Sequence, residues 1–143
     1  MQRVSRASVR VDGEVVGSIG LGLVVLLGVG KTDAEPQAHR LAEKLAALRI
    51  FDGDSGRMDR SLTDLGGEAA ALCISQFTLY GDVRRGLRPS FTEAAEPARA
   101  QTLYERFCGE LAGQGVRVET GLFGARMSVE LTNEGPVTLL VEV

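Results

Sequence analysis

The chain has 143 residues, 44% of them apolar and 24% charged, with a formal net charge of −3. That length suits one domain able to bury roughly two-thirds of its unfolded surface, and the composition excludes a disordered chain, a collagen-like repeat and a disulfide-stapled mini-protein. The acidic balance speaks against a protein that packages DNA or RNA, whereas an enzyme that meets RNA transiently needs only a local basic patch.

Two strands open the chain. Val4 to Val11 alternates towards Asp12-Gly13 and Glu14 to Ile19 resumes; Asp-Gly between β-prone runs is a strong hairpin sequence. Glycine is abundant (18 residues) and proline scarce (4), which fits strands joined by tight turns. Arg3, Arg6 and Arg10 are followed by no apolar stretch within the first 18 residues, so no signal peptide is expected. The most apolar run, Leu21 to Val29, falls well short of the about 20 residues a membrane span needs. It reads as a buried strand, and no membrane partner is expected. Residues 25–32 invite a phosphate-loop reading, but that motif needs glycine where Val25 stands. Gly28 and Gly30 then make a turn, with Thr32 or Asp33 capping the next helix.

In that helix Ala38, Leu41, Ala42, Leu45 and Leu48 share one face, and Pro36 suits its first turn. His39, the one histidine, lies within it. It leaves no His-based metal cluster and only itself for a Ser-His-Asp triad. Residues 52–67 read as loop, Ala69 to Ser75 as a buried strand, and 81–95 as a long loop, first basic and then acidic. Pro97 opens a second helix with Leu103, Phe107 and Leu111 inward, and Gly113 and Gly115 stop it. Cys73 and Cys108 show no CxxC spacing and read as buried thiols in a reducing cytosol. Ala125, Met127, Val129 and Leu131 alternate as a half-buried strand, Asn133 to Pro136 turns the chain, and Val137, Leu139, Val141 and Val143 point one way beyond it. The expected architecture is α/β: one domain over 1–143, six or seven mostly antiparallel strands, and two helices packed on the sheet.

Two segments fit this pattern poorly. Ser75-Gln76-Phe77-Thr78-Leu79 introduces polar groups where an apolar strand should continue, which means either a strand leaving for solvent or polar groups with a task. Asn133-Glu134-Gly135-Pro136-Val137-Thr138 places proline between good strands, where a hairpin turn and a bulge are both possible. Gly135 there permits close approach of another group.

These segments resemble the two signatures of the D-aminoacyl-tRNA deacylase family, SQxxL and NxGPxT. The resemblance extends through Gln2 to Val9, Arg49-Ile50-Phe51, Gly86, Arg88 to Phe91, Thr120 to Gly124, and Met127. Family members usually carry a few more residues before Gln-Arg-Val than the lone Met1 here. The resemblance implies a barrel-like deacylase fold and a homodimer with its active site at the subunit interface. It implies an ester hydrolase without metal or organic cofactor, acting on the 3′-terminal adenosine of D-aminoacyl-tRNA and in some contexts glycyl-tRNA. Ser75, Gln76, Phe77 and Thr78 then carry catalysis, with backbone N–H groups near Phe77 and Thr78 as an oxyanion hole. A cis Gly135-Pro136 peptide, flanked by Asn133 and Thr138, enters the partner's site and rejects L side chains. Arg3 holds that loop. Phe123 and Met127 line the adenosine pocket, though in Met127's case an alternating strand explains core packing equally well.

Overall fold

A computed structural model describes all 143 residues. The first hairpin forms as its sequence dictates. Strand β1 (Gln2–Val11) turns through Asp12 and Gly13, both at positive φ, into β2 (Glu14–Ile19). Positive φ at both positions matches the right-handed twist of the flanking strands. Strand β3 (Gly22–Leu27) follows, then helix α1 (Glu35–Ala47). Asp33 does not cap this helix. Its carboxylate accepts from the Gly30 N–H at 2.7 Å, closing the preceding turn, and Gln37 instead accepts from the Ala34 N–H at 3.0 Å.

The segment 52–67 is more ordered than its Asp, Gly and Ser content suggests. It holds β4 (Phe51–Asp52), β5 (Met58–Arg60) and a short helix α2 (Leu62–Leu65). Ser61 accepts from the Asp64 N–H, Asp64 accepts from the Ser61 N–H, and buried Leu62 and Leu65 pin the turn; this reciprocal cap is a start signal readable from sequence. Strand β6 (Ala70–Ser75), helix α3 (Pro97–Gly113), β7 (Arg117–Thr120) and β8 (Ser128–Thr138) complete the chain. There are thus three helices rather than two. None is long and apolar enough to cross a membrane.

The main sheet is mixed rather than mostly antiparallel. β1 pairs antiparallel with β2, β3 and β8, whereas β3 with β6, and β6 with β7, are parallel. Parallel neighbours need long crossovers, and the two long helices supply them. The sheet curls until β2 meets β7: a Cβ on Gly17 would stand 2.5 Å from the Thr120 carbonyl oxygen and 3.2 Å from Leu72. Only glycine allows that approach, which makes the sheet barrel-like.

Alternation along the strands divides the interior. Val4, Val9, Val24, Leu72 and Ile74 point into the curled sheet. Leu23, Val25, Ala71 and Cys73 point the other way, under Leu45, Phe107 and Leu111 of the helices. Each fully buried Leu or Phe contributes roughly 1.5–3 kcal/mol. The chain does not turn at Asn133–Pro136. β8 runs through this segment along β1, and the register slips between the pairs Val4–Asn133 and Gln2–Thr138, so residues 134–137 bulge outward. Past Thr138 no further strand forms, and Leu139 instead exchanges hydrogen bonds with Met1.

Candidate active site

Three parallel strands end on one side of the sheet. Leu27 of β3 faces Ser75 of β6, the Gln76 N–H donates to the Leu27 carbonyl at 2.8 Å, and the Gly121 N–H after β7 donates to the Cys73 carbonyl at 3.1 Å. The crevice beyond the carboxyl ends of parallel strands is a common place for a ligand. Here it is a cavity of about 580 Å³. Ser75, Gln76 and Phe77 enter it from β6, Phe123 and Met127 from the segment after β7, and Tyr104 from α3. Five of the residues singled out in the sequence therefore meet in one place.

The polar run after β6 is neither a continuing strand nor a strand trailing into water. It tightens into a 3₁₀ turn, Phe77–Tyr80, with the Leu79 N–H on the Gln76 carbonyl and the Gly81 N–H on the Thr78 carbonyl. The first N–H groups of such a turn have no acceptor inside it, which leaves Phe77 and Thr78 with donors free for an incoming oxygen. The Gln76 amide donates to the Thr78 hydroxyl. Thr78 itself is exposed and is not among the residues lining the cavity.

The walls are aromatic and apolar. Phe77 meets Phe91 edge-on, ring centroids 5.0 Å apart, and Tyr104 lies 5.8 Å from Phe123. The buried Tyr104 hydroxyl donates to the Cys73 carbonyl at 2.8 Å, which fixes the wall to the strand that carries Ser75. Burial raises the Tyr104 pKa, so the hydroxyl stays protonated. Phe123 also touches the core under the helices and Met127 the core inside the sheet; cavity lining and core packing coincide in these two side chains. Sequence reading missed Phe91 and Tyr104. Ala100, Tyr104, Phe107 and Leu111 share the helical spacing of an inner face, so Tyr104 was within reach. Phe91 ends the Arg88–Phe91 stretch that shares the family resemblance, but nothing in its local pattern points to the cavity.

Among ionisable side chains only Glu96 and Tyr104 line the cavity. His39 is on the outer side of α1, half exposed and bonded to Glu110 at 2.9 Å. No cluster of three His, Cys, Asp or Glu is placed to hold a metal ion.

The second signature forms a separate structure. Asn133 donates to the Thr138 hydroxyl at 2.9 Å and accepts from the Val137 N–H at 3.2 Å, so the two polar ends of the segment clamp the bulge. The Gly135–Pro136 peptide is cis and both residues are exposed. Arg3 lies buried beneath. Its guanidinium donates to the carbonyls of Glu134 (3.1 Å) and Ile50 (2.8 Å) and pairs with Asp52 at 3.1 Å. None of Arg3, Asn133, Gly135, Pro136 and Thr138 lines this cavity.

The chain matches the family model described as D-Tyr-tRNA(Tyr) deacylase over residues 1–142. It is 57% identical over 142 residues to a D-aminoacyl-tRNA deacylase of Koribacter versatilis, spanning 99% of this chain and 94% of that protein. Against the D-aminoacyl-tRNA deacylase of Thermus aquaticus the identity is 56%, over 99% and 92%. Among solved structures, a c-Myc DNA unwinding element binding protein superposes with a TM-score of 0.92 at 37% identity, covering 99% of this chain and 95% of that one. A probable eukaryotic D-amino acid tRNA deacylase shares the fold, with a TM-score of 0.75 at 18% identity over 93% and 91%.

Proposed function

The chain belongs to the D-Tyr-tRNA(Tyr) deacylase family, and from that premise we propose that it hydrolyses the ester joining a D-amino acid to the 3′-terminal adenosine of tRNA, sparing the L-aminoacyl ester. The observation that carries the reading is the crevice beyond β3, β6 and β7. It offers an apolar slot between Phe123 and Met127 beside the donor-bearing turn at Phe77 and Thr78.

An aminoacyl ester is already activated. Hydrolysis adds water to the carbonyl carbon, and collapse of the tetrahedral intermediate breaks the bond to the ribose oxygen. The enzyme's task is to hold the ester and stabilise the oxyanion. Free N–H groups at Phe77 and Thr78 suit that role, and one such donor contributes roughly 10²–10³ in rate. Ser75 and Gln76 orient the ester and ribose. The lining offers no imidazole or amine to activate water, and Glu96 is its one carboxylate. The neighbouring 2′-hydroxyl of the substrate's ribose takes that part, and a positioned group of this kind reaches very high effective molarity. Thr78 lacks an activating base, so its hydroxyl, held by Gln76, positions rather than attacks.

Selection between mirror images falls to the Gly135–Pro136 bulge of a second copy. The bulge is exposed, rigidly clamped and absent from its own protomer's cavity, which is the disposition of a group that acts in trans. Main chain placed where an L side chain would stand rejects it by clash. Glycine presents only hydrogen there, so glycyl-tRNA is also cleaved.

Incubating D-Tyr-tRNA and L-Tyr-tRNA with the protein tests this: release of D-tyrosine alone is expected, and equal background release from both would leave a binding module without activity. Thr78→Ala should retain most of the turnover; abolition would make Thr78 the nucleophile.

A further inference from the structure

Beyond the cavity's Phe77–Phe91 wall stands a short hairpin that the chemistry above does not use. Asp82 and Ser90 exchange backbone hydrogen bonds at 2.8 and 2.9 Å, and the chain between them turns through Gly86 at positive φ. This excursion, Val83-Arg84-Arg85-Gly86-Leu87-Arg88-Pro89, holds three cations and no anion. Its base is fixed to the site, because Phe91 follows Ser90 directly and packs edge-on against Phe77.

The three arginines are not equivalent. Arg84 is occupied: its guanidinium grips the Asp82 carboxylate at 2.6 Å and 2.9 Å. Those contacts hold the Asp82 carboxyl down at about 2, so the pair stays closed at neutral pH. It acts as a brace for the hairpin. Arg85 and Arg88 have no ion pair and no side-chain hydrogen bond, and both are exposed. Leu87 between them is fully exposed. Arg126, likewise exposed and unpaired, stands in sequence between the lining residues Ala125 and Met127.

A chain of net charge −3 repels a polyanion as a whole. Attachment to one therefore has to be local, and the unpaired guanidinium groups near the cavity are the local exception. Arg88 is three residues from Phe91, a reach of about 10 Å along extended chain. That length keeps the cation within reach of the phosphates adjoining an adenosine held in the cavity. Building on the function proposed above, we propose that the 83–89 hairpin grips the sugar-phosphate backbone of the substrate's single-stranded 3′ end through Arg85 and Arg88. Guanidinium forks suit phosphate oxygens, and such contacts position the strand without reading its sequence.

The test compares wild type with R85E/R88E, and with R85Q/R88Q as the milder pair, on D-Tyr-tRNA across a salt series. R40E, on the exposed side of α1, changes the net charge by as much as R85Q/R88Q does and should keep the wild-type KM and salt slope. The anchor predicts a KM raised roughly tenfold in R85E/R88E at low salt, with kcat little changed. It also predicts that the slope of log KM against log salt flattens by about 1.4 in R85Q/R88Q, about 0.7 for each phosphate of the single strand that is no longer neutralised. D-tyrosyl-adenosine, which has no phosphate, should be turned over as well by the variants as by wild type. An active wild type whose double variants keep its KM and salt slope overturns the anchor alone. An equal defect on D-tyrosyl-adenosine, or a changed oligomeric mass by light scattering, overturns it by making the hairpin part of the cavity or of a subunit contact. A wild type inactive on both substrates removes the proposed function and the anchor with it.

Discussion

Arg3 offers the most direct test of how the Gly135–Pro136 bulge is held. Arg3→Met keeps most of the apolar stem and removes the guanidinium. Three interactions go with it, and they are unequal. The Glu134 carbonyl sits in an exposed residue, and Asp52 is 57% exposed, so water replaces the donor for both at little net cost. The Ile50 carbonyl differs: its bond to Arg3 is buried, and losing the donor leaves an acceptor without a partner, which costs roughly 1–3 kcal/mol. Adding about 1 kcal/mol for imperfect refilling gives roughly 2–4 kcal/mol, a large share of the roughly 5–15 kcal/mol typical of a domain. Urea unfolding at fixed protein concentration reads this as a lower midpoint with an unchanged slope. Arg3→Lys restores the charge but not the fork. It should recover the Ile50 bond or the Glu134 bond, not both, and fall between the two. A destabilisation below about 0.5 kcal/mol in Arg3→Met, or a lysine variant equal to wild type, would refute this account of the anchor.

Gly135→Ala would set a Cβ 2.7 Å from the Arg3 guanidinium and 3.1 Å from Val137, at a φ of +118° that L side chains rarely adopt. The expected strain is on the order of 1–3 kcal/mol; the ratio of D- to L-Tyr-tRNA hydrolysis should fall, and an unchanged ratio at unchanged rate would count against the bulge as the selecting element. His39 gives a pH signature. Its pKa is raised first by the hydrogen bond to Glu110 and then by the Glu43 charge. A raised histidine contributes stability that is whole below about pH 6.5 and fades as pH climbs through the higher folded value. His39→Gln should therefore lower Tm at about pH 6 and approach wild type at about pH 9, whereas an equal difference at both would remove the ion pair from the balance.

What the sequence disclosed and what it hid follow from the range of the forces involved. The first hairpin, the buried strands β3 and β6 and the inner faces of α1 and α3 depend on neighbours a few residues away, so periodicity and turn chemistry expose them. The sheet's mixed character depends on which strand lies beside which. β3 and β6 are separated in sequence by the whole of α1, β4, β5 and α2, and no local pattern encodes that pairing. The same limit explains Arg3. Its type was visible, but Ile50 and Asp52 became its partners only through the fold. Asn133 to Thr138 is ambiguous between turn and bulge for a different reason. Asn, Gly and Pro together are the chemistry of a turn, and only the continuing ladder to β1 on both sides turns the segment into a bulge.

The two signatures sit on parts of the molecule with different physical demands, and this bears on what can vary independently. The Ser75–Thr78 turn ends a strand buried on both faces, so its backbone donors are positioned by the whole core. Side-chain changes there leave the main-chain N–H groups in place unless they disturb the strand. The Gly135–Pro136 bulge is anchored by one buried guanidinium and one Asn–Thr clamp at an exposed strand. Under the proposed function, rate is set by the first element and discrimination by the second. Substitutions at Arg3, Asn133 or Thr138 should then widen the accepted substrates before they slow the reaction. Substitutions at Ser75 or Gln76, whose side chains orient the ester, should lower the rate on every substrate alike.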